Sequence, residues 1–160
     1  MTQVPLSFNS SISIIASPRR VMWAFFNPDA LAQWWQTARS VTTPRVLGAY
    51  AVEWAPTDFR DDVLGRLGGA FHGTVMEYKP DQEFFVADAF WLPPDGNPVG
   101  PMALEVTLKA ERPKNPQITL VNVTQRASED GERWRRYYEV IAPGWDRALQ
   151  SLKRYLESSS

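Results

Sequence analysis

From Phe8 to Ala16 the apolar residues Ile12 and Ile14 alternate with Ser11 and Ser13, the period of two that marks a half-buried strand. Ser17 and Pro18 then start a helix, because a hydroxyl caps free amides and a proline at the first helical position forfeits no hydrogen bond. Val21, Ala24 and Phe25 form one face of it. Asn27-Pro28-Asp29 interrupts this helix, since the residue before proline disfavours helical angles, and Ala30 to Trp35 resume it as a second short turn. Further strands are expected at Gly48 to Ala55, Ala70 to Tyr78, Phe84 to Trp91, Met102 to Ala110 and Gln117 to Gln125. The cleanest is Met102 to Ala110, with Leu104, Val106 and Leu108 on one face and Glu105, Thr107 and Lys109 on the other. Separators of hairpin length, such as Pro113-Lys-Asn-Pro116, make neighbours in sequence antiparallel neighbours in space.

The last segment changes period. Ile141, Trp145, Ala148, Leu149, Leu152, Tyr155 and Leu156 recur at intervals of three and four, the spacing of an amphipathic helix. Trp134, Tyr137 and Tyr138 extend the stripe backwards, but Pro143-Gly144 is expected to kink or interrupt it, because proline removes a helical hydrogen bond. The helix is therefore placed at Pro143 to Glu157, about 22 Å long at 1.5 Å per residue, enough to cross a sheet of several strands.

Composition narrows the function classes. A chain of 160 residues is expected to form one domain, 1–160 with a structured core over about 8–157. Cysteine is absent, which removes thiolate zinc sites, iron-sulfur ligation and any cysteine nucleophile. Seventeen Lys and Arg against eighteen Asp and Glu give a net charge of -1, so no global field draws in nucleic acid or anionic membrane. The start, MTQVPLSF, has neither the basic region nor the apolar run of a signal peptide, and no apolar run is long enough to span a bilayer; a cytoplasmic location is expected. Aromatic residues make up 12% of the chain, and their large contact areas with few rotatable bonds suit a core and a ligand cage equally.

Three segments carry a family resemblance. ISIIASPRRVMWAFFNPDALAQWW resembles the opening of the activator of heat-shock protein 90 ATPase homologue family, within the START-like (SRPBCC) superfamily that includes polyketide cyclases and pollen-allergen-type binders. GWDRALQSLKRYLE resembles the family's closing helix, and GTVMEYKPDQEFFVADAF its strand-Pro-strand hairpin. The resemblance implies an α+β helix-grip fold: a curved antiparallel sheet of about six strands, two short helices after strand one, and a long C-terminal helix packed over the sheet. It does not imply one chemistry, because this superfamily hosts many on one cavity. It also implies a homodimer as an option, through edge strands that can pair between chains.

Residues with chemical potential are few. His72 is the lone histidine, so any Ser-His-Asp arrangement or histidine-metal site must use it; with scattered carboxylates it falls short of a zinc set, and no metal is expected. No G-x-S-x-G elbow surrounds a serine. Glu53 and Asp88 are carboxylates inside apolar strands: pointing outward they are solvated charges, pointing inward they are costly buried acids that need partners or raised pKa values. The glycines at 65, 68, 69 and 73 lack a Gly-Lys-Ser/Thr ending and are read as turn and bulge residues rather than a phosphate cradle, so no cofactor is expected. Arg133, Arg135 and Arg136 read as a solvated helix face, and the stiff loop Pro93 to Pro101 as either a pocket rim or a surface turn.

Three functions stay open. A binding module would hold a small hydrophobic or aromatic ligand with Trp34, Trp35, Phe90, Trp91, Trp145 and Leu149 as wall. A cyclase, aromatase or hydrolase would need at least two of His72, Glu53, Asp88 and Tyr50 to converge inside the cavity. A co-chaperone rests on the family name alone.

Overall fold

In the computed structural model, which describes residues 7–128 and 131–158, the elements follow the order the sequence patterns set. The opening MTQVPL, read above for a leader, lies outside the described residues. β1 (Ser7–Ile14) leads into α1 (Pro18–Phe26) and α2 (Pro28–Trp34). The Ser17 hydroxyl accepts from the Arg20 amide at 3.2 Å and the Asn27 side chain from the Ala30 amide at 3.0 Å, so each short helix has its own cap and its own proline in the first turn. There follow β2 (Arg39–Thr42), β3 (Ala49–Trp54), β4 (Arg60–Asp61), β5 (Gly65–Arg66), β6 (Gly69–Lys79), β7 (Glu83–Leu92), β8 (Val99–Arg112), β9 (Ile118–Ala127) and α3 (Glu132–Ser158).

Seven strands form one antiparallel sheet in the order β1-β9-β8-β7-β6-β3-β2, and β4 and β5 pair apart from it as a small hairpin. The expected sheet of about six strands lacks β2. Its sequence Arg-Ser-Val-Thr has one large apolar residue, Val41, and that side chain is exposed, so no hydrophobic period announced it. Register shifts between His72 and Thr74 in the β6–β7 pairing and between Val86 and Ala89 in the β7–β8 pairing bend the sheet. Gly73 permits that bend: a Cβ there would stand 2.6 Å from Val86 Cγ1 and 2.9 Å from the Ala87 carbonyl.

α3 departs from the expected short helix. It runs unbroken from Glu132 to Ser158 with Pro143 inside it, about 40 Å at 1.5 Å per residue. Trp134, Tyr137, Tyr138, Trp145, Leu149, Leu152 and Leu156 are buried along one stripe, which keeps its phase through the proline. Pro143 and Glu139, whose carbonyl loses its helical partner, are both solvent-exposed, so water can satisfy the orphaned oxygen and the buried face is left intact. No described helix is long and apolar enough to cross a membrane.

Candidate functional site

The inward aromatics divide into a filled group and an open one. Phe25, Phe26, Tyr50 and Phe84 interlock under α1 and α2 with ring centroids 4.8 to 5.6 Å apart, and Trp34 joins them edge-on to Phe25 at 5.2 Å. These rings fill their space. Trp34 stacks on Trp35 at 5.0 Å, and beyond Trp35 the packing opens into a cavity of about 470 Å³ between α3, the sheet and the β4–β5 hairpin. Trp35, Trp54, Phe71, Trp91, Tyr137 and Trp145 form its aromatic wall. The volume falls in the range of about 300 to 1,000 Å³ that suits small-molecule sites.

The wall presents mostly carbon because three of its four indole N–H groups are already engaged. Trp54 donates to the Trp35 carbonyl at 2.9 Å, Trp91 to the Gly68 carbonyl at 2.8 Å, and Trp145 to Gln125 Oε1 at 2.9 Å. The last bond sets a small polar array. An indole can only donate, so the Gln125 oxygen must face Trp145; its Nε2 then faces the Tyr137 hydroxyl at 3.0 Å and makes that oxygen the acceptor. The Tyr137 O–H proton is left without an acceptor among the described residues, in a side chain only 4% exposed at the cavity wall. Burial pushes the Tyr137 pKa far up, so the hydroxyl stays neutral and remains a donor.

α3 contributes an opening and a charge. Gly144 lines the cavity, and a Cβ built there meets nothing closer than Arg147 Nη2 at 3.9 Å, so the missing side chain is space that belongs to the pocket. Arg147 is the single charged residue lining the cavity among the described residues. The opposite wall is the β4–β5 hairpin and its flanks, through Thr57, Leu64, Leu67 and Gly68.

That hairpin is tied down by ions rather than by the sheet. The buried Asp61 accepts the Val63 and Leu64 amides at 3.0 Å each through one oxygen and Arg136 Nε at 2.7 Å through the other. The Arg136 hydrogen bond, helped by the two amides and opposed by burial, lowers the Asp61 pKa to about 2. Asp95, from the loop before β8, accepts from Arg60 at 2.6 Å and from the Arg66 amide at 3.1 Å. Arg133 donates to the Asn97 carbonyl at 2.7 Å. The Pro93 to Pro101 stretch therefore supports the hairpin and α3 instead of rimming the pocket, and Arg133 and Arg136 are tie points instead of a merely solvated face.

Of the six residues expected as ligand wall, Trp35, Trp91 and Trp145 line the cavity. Trp34 and Leu149 do not: both are buried in the core, where Trp34 donates to the Ala24 carbonyl. Phe90 lies on the outer face of the sheet near His72, their ring centroids 6.1 Å apart, over Gly100, where a Cβ would come within 2.3 Å of its ring. The four expected catalytic candidates do not converge. Tyr50 is sealed in the core with its hydroxyl on the Phe25 carbonyl at 2.9 Å. Glu53 pairs with Arg39 at 2.6 Å, His72 is exposed, and Asp88 is exposed at the bulge with φ of 50°. The convergence that the enzyme alternative required is absent. Sequence reasoning missed Trp54, Phe71, Gln125, Gly144 and Arg147 as lining residues; the legible signal was Gln125, a polar residue at the inward parity of Val121 and Val123.

Comparison with known proteins gives the same architecture. The family described as Activator of Hsp90 ATPase homolog 1-like protein matches residues 15–157. A crystal structure of a Chromobacterium violaceum protein is 23% identical, covers 96% of this chain and 99% of its own, and superposes with a TM-score of 0.65. A Mycobacterium smegmatis crystal structure reaches a TM-score of 0.73 at 14% identity, over 97% of this chain and 93% of its own. The solution structure of the Aha1 dimer from Colwellia psychrerythraea is 22% identical with a TM-score of 0.60, over 95% and 96% of the two chains. No curated protein matches the sequence.

Proposed function

The chain belongs to the Activator of Hsp90 ATPase homolog 1-like family, and from that premise we propose that it binds a small apolar or aromatic molecule in the cavity under α3. One observation carries this reading: six aromatic side chains surround about 470 Å³ of space while a second aromatic group beside them is closely packed. A chain that buried aromatics only for stability would close the open group as it closes the packed one, because an apolar void forfeits dispersion contacts. The cyclase or hydrolase alternative has no support from His72, Glu53, Asp88 and Tyr50, none of which lines the cavity.

Gly144 supplies the test. Gly144→Phe places a ring in the cavity from a position where a Cβ meets no close neighbour. In the unaltered chain, naphthalene and 1-decanol should quench tryptophan fluorescence saturably; in Gly144→Phe, with its helical circular dichroism intact, saturable quenching should disappear. Equal quenching in both would sink the reading. Stimulation of a heat-shock protein 90 ATPase by the chain, unaffected by Gly144→Phe, would move the function to a docking surface.

A further inference from the structure

We propose that the ligand is an amphipathic organic anion, its charged group against Arg147 at the cavity mouth, its apolar body among the indoles, and an oxygen at its inner end accepting from Tyr137. This rests on the cavity reading and adds to it the ligand's charge, polarity and orientation.

Charge comes first. Arg147 is the single ionic group lining the cavity and has no partner among the described residues. Its neighbour in sequence, Asp146, is engaged with Ser10, and Glu139 and Asp61 pair with Arg136 and Glu157 with Lys153. Arg147 Nη2 lies 3.9 Å from where a Gly144 Cβ would stand, so the guanidinium folds back along α3 over the opening that Gly144 leaves. A cation bordered by apolar walls attracts an anion more strongly than one surrounded by water, and the planar guanidinium matches a carboxylate through two parallel bonds.

Polarity of the inner end comes from Tyr137. Its oxygen is occupied by Gln125, its proton faces no acceptor among the described residues, and burial keeps water from satisfying it freely. A ligand oxygen can take that proton without disturbing the Trp145–Gln125–Tyr137 chain. Orientation follows from helix geometry: Tyr137 and Gly144, over which the Arg147 guanidinium folds, are seven residues apart on α3, about 10 Å along its axis. That separation suits an extended chain with a polar group at each end. The other charged tie points in this region, Asp61 and Arg136, bind each other and offer a ligand no net charge.

The experiment compares decanoate, 1-decanol and 10-hydroxydecanoate by tryptophan quenching in the unaltered chain, Arg147→Gln, Arg147→Lys and Tyr137→Phe. Decanoate should bind about tenfold more tightly than 1-decanol. Arg147→Gln should erase that preference by weakening decanoate far more than 1-decanol, and Arg147→Lys should keep part of it. The preference should also vanish as pH falls through the carboxyl pKa of the probe, about 4 to 5. 10-Hydroxydecanoate should bind better than decanoate to the unaltered chain but not to Tyr137→Phe. Equal affinity for decanoate and 1-decanol, or a preference unchanged by Arg147→Gln, overturns the anion while leaving the cavity. Failure of every probe to bind removes both.

Discussion

A single amide organises the polar side of the pocket. Gln125 sits at an inward position of β9, only 1% exposed, and each of its polar ends has a partner that a hydrocarbon could not serve. Gln125→Leu keeps much of the volume but leaves the Trp145 N–H unpaired, so the chain should lose about 1 to 3 kcal/mol, read from urea unfolding, with a shift in Trp145 emission. Asp61 makes a second residue-scale prediction. Its proton is released more readily in the folded chain than in the unfolded one, where the value is near 4, so its contribution is complete above about pH 4. It declines as pH falls through about 2. Asp61→Asn should flatten that part of the stability profile in acid-unfolding titrations.

At the scale of elements, α3 shows what a local rule can and cannot decide. Pro143, in the interior of its helix, costs it a hydrogen bond, and the long buried stripe holds the helix together regardless. Pro143→Ala should therefore stabilise the chain, by up to about 3 kcal/mol in thermal unfolding, because the stripe's register does not change. The same balance explains what the sequence made legible. β1, α1 and α2 follow from alternation, Ser17, Asn27 and two prolines, all acting within a few residues. The pocket wall was legible only in part, because it depends on parity across a bulge. Counting by twos from Phe84 and Val86 puts Asp88 and Phe90 inside; the extra residue at Asp88 switches the count, so Ala89 and Trp91 turn inward and Phe90 outward. Gly144 and Arg147 were hidden for a different reason: each matters through space that only the assembled helix and sheet enclose.

Across the whole molecule, stability and binding are assigned to neighbouring parts of one inner face. The rings around Phe84 fill their space and the rings around Trp145 line a cavity, so a ligand that fills that cavity adds to stability by mass action. At one hundred times its dissociation constant such a ligand contributes about 2.7 kcal/mol, a rise of roughly 5 to 10 °C in melting temperature for a chain of this size. Decanoate should produce that rise in a thermal-shift assay, and Gly144→Phe should abolish it. The β4–β5 hairpin then has a kinetic meaning. It walls the cavity yet belongs to no larger sheet, and Asp61–Arg136 fastens it to α3. A wall held by a few ion pairs, of which Asp61–Arg136 is the link to α3, opens at its own rate, and that rate sets how long a guest resides. Loosening it through Asp61→Asn should speed entry and exit together in stopped-flow quenching, leaving the equilibrium affinity nearly where it was: the latch governs the clock of exchange, while the aromatic wall governs its balance.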